Sequence, residues 1–167
     1  MPWSKIKKRL ETEFLAPSLQ GRVTYFATSY SKCPDHEGRA AIRVDGVEVF
    51  KSSYYESIML HSKKFHEMYD NGGGYYESWS KAFDEAEKAG GFDNHVFYRA
   101  FDEYSNQPIE DSLKSELPLV RIFAILDKRT GKRRLAAMAE EIESAPPFIQ
   151  LFYKLRCEAE GMYGERI

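Results

Sequence analysis

The chain has 167 residues, 43% of them hydrophobic and 30% charged, with a formal net charge of -2. That profile excludes a disordered chain and a chain basic enough overall to be drawn to nucleic acid or an anionic membrane by net charge. It fits one domain, residues 1–167, in which 1–51 carry a helix and a β-meander and 52–167 are mainly helical.

Trp3, Ile6, Leu10 and Phe14 repeat at three- and four-residue steps, which predicts a helix over 3–15 with Lys5, Lys7, Lys8 and Arg9 on its other side. Ala16-Pro17 ends it. Residues 22–31 are rich in β-branched and aromatic side chains and read as a strand. After the polar loop Lys32–Arg39, the short β-prone runs 40–44 and 47–50 flank Asp45-Gly46. That dipeptide suits a type I′ hairpin turn, which needs positive φ at both central residues. The expected architecture is therefore α+β: a three-stranded antiparallel meander over about 22–51, an N-terminal helix able to cover one face, and a larger helical layer after it.

Ser52 or Ser53 caps a helix running to about Asp70, along which Tyr55, Ile58, Met59, Ser62, Phe65 and Tyr69 recur at helical spacing. Asn71-Gly72-Gly73-Gly74 breaks it. A helix over roughly 75–89 follows, with Tyr76, Trp79, Phe83 and Ala86 on one side, and Gly90-Gly91 stops it. Asp93 caps a further helix that turns Val96, Phe97, Ala100, Phe101 and Tyr104 inward. Residues 109–117 form a short acidic helix or turn. Pro118 opens the most apolar run, 119–126, which has a single charge at Arg121. Read as a mostly buried helix over 119–128, it would put Arg121 and Lys128 on one polar side. The rival is a buried strand, because periodicity does not separate the two over so short a run. A helix over 135–144, stopped by Pro146-Pro147, and a last one over 148–161 complete the chain.

The opening Met-Pro-Trp-Ser-Lys-Ile-Lys, the stretch from Leu119 to Leu135 with its Leu-Asp-Lys-Arg-Thr-Gly-Lys-Arg, and the closing Leu-Arg-Cys-Glu-Ala-Glu-Gly resemble those of a family of small uncharacterised bacterial proteins. The resemblance implies a bacterial single domain and transfers no activity or catalytic residue. It marks Trp3, Arg121, Asp127, Gly131, Lys132, Arg133 and Arg156 as positions of interest.

Lys128-Arg129-Thr130-Gly131-Lys132-Arg133-Arg134 holds five cations in seven residues. Lys128, Arg129, Lys132, Arg133 and Arg134 form a candidate anion site for phosphate, nucleic acid or an acidic protein face. The glycine spacing of a P-loop is missing. The plainer reading is a solvated connection whose cations pair with Glu140, Glu141 and Glu143. Asp127, at the end of the apolar run, reads as an ion-pair or capping group rather than a catalytic acid. Arg156 and Glu160 read as a helical i, i+4 pair.

His61 and His66 are five apart, which turns them away from each other on a helix, so no metal site is expected. No cofactor motif and no Gly-x-Ser-x-Gly elbow occurs. The loop Cys33-Pro34-Asp35-His36-Glu37 is the best place for an enzyme site, with no identifiable distant partner. Cys33 and Cys157 allow at most one bridge. With no apolar signal core and no run of transmembrane length, a cytoplasmic location without membrane association is expected. No catalytic residue is assigned, and the reading leans against an enzyme. The leading expectation is a non-catalytic interaction or accessory protein, contacting a protein partner through Tyr-rich and basic surfaces. The alternatives are nucleic-acid or phosphate binding through 128–134 and an enzyme built on 33–37.

Overall fold

The computed structural model describes residues 1–32 and 37–162. Helix α1, Trp3–Lys8, runs on as a π-helical segment over Arg9–Phe14, so the expected single α-helix is locally underwound and divided between two geometries. Ile6 and Leu10, four apart, are buried in the core. The chain then leaves the helix extended. Leu15 bridges Asp127, with the Ala16 N–H donating to the Leu126 carbonyl at 2.9 Å and the Lys128 N–H donating to the Phe14 carbonyl at 2.8 Å.

Strands β1 (Val23–Ser29), β2 (Gly38–Val44) and β3 (Val47–Ser53) form an antiparallel sheet in the order β1-β2-β3. Asp45 and Gly46 have φ of 49° and 83°, the positive pair that a type I′ turn requires. Alternation puts Val23, Tyr25, Ala27, Ala40, Ile42 and Phe50 into the core. On the outer face Phe26 lies beneath the guanidinium groups of Arg39 and Arg43, 5.1 and 4.6 Å from its ring centre, and Glu48 pairs with both arginines.

Three helices bring the core together. Helix α4 (Asn94–Ser105), capped by Asp93 at the Val96 N–H, lays Phe97 against Trp3, Tyr25 and Phe123. Helix α6 (Pro118–Leu126) buries every residue except Arg121, and a helix apolar all round belongs in the middle of a fold. It packs against α4, against the short α5 (Ile109–Leu113) and against α9 (Pro147–Ala159). The helical reading of this run therefore holds, but the helix ends at Leu126. Asp127 is extended (φ -71°, ψ 137°), and Lys128 does not share a helical face with Arg121. Arg121 instead reaches Glu141 at 2.6 Å. The segment expected as one helix over 135–144 is two, α7 (Lys132–Ala137) and α8 (Ala139–Glu143), broken at Met138.

Helices α2 (Tyr54–Tyr69) and α3 (Tyr75–Lys88) form an antiparallel hairpin and are each other's main neighbours. The Ser53 hydroxyl caps α2 by accepting from the Glu56 N–H at 3.2 Å. Among the described residues, no apolar side chain from 54 to 89 belongs to the main hydrophobic core. The hairpin is thus a lobe attached where β3 ends and where the chain re-enters the core at Phe92, and tied to the rest by the Glu87–Arg99 and Lys88–Glu116 ion pairs. No helix among the described residues is long and apolar enough to cross a membrane.

Candidate functional site

Where α6 ends, four carbonyls would be left without intrahelical partners. Asp127 and Arg156 supply the solution. Asp127 is fully buried. Its carboxylate accepts from the Arg129 backbone N–H (2.7 Å), from Arg129 Nε (3.1 and 3.0 Å) and Nη2 (2.7 Å), and from the Tyr104 hydroxyl. Acceptance from the N–H two residues on is the local turn that Asp favours. Thr130 Oγ1 donates to the Ala124 carbonyl at 2.6 Å. From α9, Arg156 donates through Nη1 to the carbonyls of Ile125 (3.1 Å) and Asp127 (2.8 Å) and through Nη2 to that of Thr130 (2.9 Å). Its Nε holds Glu160 at 2.9 Å, and the Ser18 hydroxyl donates to the same oxygen at 2.7 Å. Burial pushes the Glu160 carboxyl up, but Ser18 and Arg156 together hold it below the ordinary carboxylate range. A cation at a helix C-terminus also complements the macrodipole.

Burial, and then the Asp127 charge, push the Tyr104 phenol far up. Arg129 is raised by its hydrogen bond to Asp127. A base must be reachable by its substrate. Asp127 is 0% exposed with donors on both oxygens, so this cluster fixes the chain path.

The five cations of 128–134 do not act as one group. Arg129 is committed to Asp127 and lies over the rings of Phe14 (5.3 Å) and Tyr104 (5.8 Å). Arg134 pairs with Glu110 and donates to the Arg129 carbonyl at 2.9 Å. The expected pairing of the stretch with Glu140, Glu141 and Glu143 is replaced by this one, since Glu141 is taken by Arg121. Lys128, Lys132 and Arg133 are exposed and form no salt bridge among the described residues, with Lys132 in the longer-range field of Glu160. Arg9 lies on the other side of Phe14, 4.9 Å from its ring centre, so α1's basic face adjoins Arg129. Within that face Lys7 and Arg9 are paired to Glu11 and Glu13. In the Cys33–Glu37 loop, Cys33 to His36 lie outside the described residues. Among the described residues no three of His, Cys, Asp and Glu converge into a metal-binding group.

The largest unsatisfied surface lies on the hairpin. Of the twelve exposed large hydrophobic residues among the described ones, eight are on α2 and α3: Tyr55, Ile58, Met59, Tyr69, Tyr75, Tyr76, Trp79 and Phe83. Of the residues expected from the spacing on these sides, only Phe65 on α2 and Ala86 on α3 are buried, and the large side chains of α3 are exposed. Helix α3 buries Ser78, Ala82 and Ala86 instead, while Tyr76 is 86% exposed and Phe83 50%. The rings of Phe65, Tyr69, Tyr75, Tyr76, Trp79 and Phe83 are connected across both helices. Phe65 meets Tyr69, Tyr75 and Trp79 at 5.3–5.5 Å, and Trp79 meets Phe83 at 6.0 Å. His61 underlies them, stacked on Phe83 at 3.9 Å with Nε2 3.1 Å from the Trp79 carbonyl. At about 100° per residue, the exposed stripes of the two helices hold no Asp, Glu, Lys or Arg.

A family model described as the SF0329 protein family matches residues 2–157. The chain belongs to the SF0329 protein family. The match takes in both the Asp127–Arg156 cluster and the whole α2–α3 hairpin. No curated protein matches the chain, and no solved structure does. In this family member the hairpin surface had one available sequence signal: an aromatic stripe on two consecutive helices whose opposite faces carry charge, with only small residues at Ser78, Ala82 and Ala86 to pack between them.

Proposed function

We propose that this SF0329 family member is a non-catalytic, cytoplasmic bacterial interaction protein, and that its contact surface is the uncharged aromatic face of the α2–α3 hairpin. One observation carries the reading: eight of the twelve exposed large hydrophobic residues share that face. Monomeric proteins rarely expose so large a contiguous apolar patch, and Tyr and Trp are enriched where proteins meet. Enzyme readings draw less support, since Asp127, the one fully buried carboxylate among the described residues, is engaged in holding the end of α6.

The test is a photo-crosslinking amino acid placed at Tyr76 in producing cells, with Lys81 on the charged side of α3 as control. A discrete adduct from position 76 and none from 81 is expected. No adduct from either position overturns the reading, as does steady-state turnover of a hydrolase or nuclease substrate that is abolished by substituting Cys33 or His36.

Nucleic-acid or phosphate binding is the second reading, and it draws on Arg9 and Arg129 bracketing Phe14. That places α1's basic face beside Lys128. Its test is binding to mixed-sequence DNA and RNA at two salt concentrations by wild type and by Lys128→Ala/Arg133→Ala, positions free of the Asp127 and Glu110 pairings. Binding that weakens with salt and is lost in the variant supports it; binding insensitive to salt overturns it.

A further inference from the structure

Resting on that reading, we infer that the occupant of the hairpin's aromatic face is a second copy of this chain, the two hairpins packing about a twofold axis as a four-helix bundle. The area comes first. At roughly 150–250 Å² per aromatic side chain, the exposed fractions of the eight residues amount to roughly 800 Å². A standard stable interface takes about 800 Å² from each partner. The face therefore offers the whole of one side of such an interface, without any contribution from the core lobe.

Charge decides the kind of partner. A membrane surface or a nucleic acid would be met by a predominantly basic rim around the apolar stripe. Here the stripe holds no Asp, Glu, Lys or Arg, and its rim mixes Lys63 with Glu56 and Asp84. In a twofold interface every residue near the axis meets its own kind or a near neighbour, so a charge there would face a like charge. A charge-free aromatic centre is what self-pairing requires.

The rim supplies the register. Lys63 follows the stripe on the outer edge of α2, and Asp84 follows it on the outer edge of α3. Both are exposed, and neither forms an ion pair among the described residues. A twofold axis running parallel to the helices lays α2 on the second copy's α3, and brings each Lys63 edge against the Asp84 edge of the other chain. An axis perpendicular to the helices would set two α2 edges, each carrying Lys63 and Glu56, against each other. The Lys63–Asp84 pairing is particular to the first arrangement, and charge variants at those two positions test it. Interlocking two antiparallel hairpins in this way is the ordinary packing of a four-helix bundle.

Sedimentation equilibrium of the full chain tests this. Wild type should sediment at twice the 19.4 kDa chain mass. Tyr76→Asp, at a position 86% exposed within one chain, should sediment at one chain mass with an unchanged circular dichroism spectrum. Lys63→Asp should weaken the dimer by about tenfold, and Lys63→Asp/Asp84→Lys should restore it. A wild type that is monomeric at all concentrations overturns the second-copy proposal, as does a dimer that survives Tyr76→Asp. A double variant no tighter than Lys63→Asp overturns the α2-on-α3 register. The Tyr76 crosslink separates the two levels: an adduct of twice the chain mass supports both, an adduct with a different protein keeps the interaction reading and removes the dimer, and no adduct removes both.

Discussion

Arg156 Nη1 stands 2.8 Å from the carbonyl oxygen of Asp127, spanning 29 residues of sequence from the last turn of α9. The same guanidinium serves the carbonyls of Ile125 and Thr130, so one side chain ties α9 to the turn that ends α6. Since α6 is the helix around which α4, α5 and α9 pack, this contact fixes the centre of the fold.

Replacing Arg156 should therefore be costly. The side chain is only 3% exposed, so its three carbonyl partners cannot turn to water when it is removed. Arg156→Met leaves them and Glu160 without it and should destabilise the protein by about 3–5 kcal/mol. Arg156→Lys keeps the charge but not the planar fork, and should recover only part of that loss. Urea denaturation of both variants checks this; a loss below about 1 kcal/mol for either would contradict the assignment.

The cations of 128–134 should separate into two classes. Arg129→Ala strips the buried Asp127 carboxylate of its guanidinium and should cost about 2–4 kcal/mol. Lys132→Ala and Arg133→Ala, exposed and without salt bridges, should stay within about 0.5 kcal/mol of wild type. Thermal or urea unfolding of the three variants distinguishes a shared anion-binding strip from a structural turn followed by a solvated one.

Glu48 gives the sheet a pH dependence. Hydrogen bonding from Arg43, and then from Arg39, outweighs burial and holds its carboxyl below the ordinary range. Its folded pKa is thus lower than its unfolded one. The contribution is complete above the unfolded carboxylate pKa, about 4.3, and is lost as pH falls through the folded value. Wild type should exceed Glu48→Gln in stability at neutral pH, and the gap should close on acidification. Urea unfolding of both proteins across pH 7 to 3 reads it out, and a gap that widens toward low pH would reverse the sign.

The features legible in the sequence are those set by neighbours along the chain. Asp45-Gly46 announces its turn because the φ demand is local, and Ser53 and Asp93 announce caps for the same reason. The Arg156–Glu160 pair was readable from its four-residue spacing, but the three carbonyls Arg156 serves were not, because they lie 26 to 31 residues away. The stripe on α2 and α3 shows why periodicity stops short of function. It identifies the apolar side of a helix and carries no information on what, if anything, covers it. Small residues on the neighbouring side, Ser78, Ala82 and Ala86, let α3 sit against α2 and leave the aromatic side outward.

The two lobes should differ in local stability. Helix α6 is enclosed on all sides, and opening it requires the core to open, so the amides of Val120 to Ile125 should exchange with solvent only through global unfolding. The hairpin shares no core side chain, so residues 54–89 should exchange through a separate opening of lower free energy. If a second copy covers the aromatic face, that opening also requires dissociation. Protection of the hairpin amides should then rise with protein concentration while protection of α6 stays constant. Native-state hydrogen exchange, followed by mass spectrometry at two protein concentrations, measures both. Equal protection of hairpin and α6 would show that the hairpin is coupled to the core. Hairpin protection that is low and independent of concentration would show that no second copy covers it.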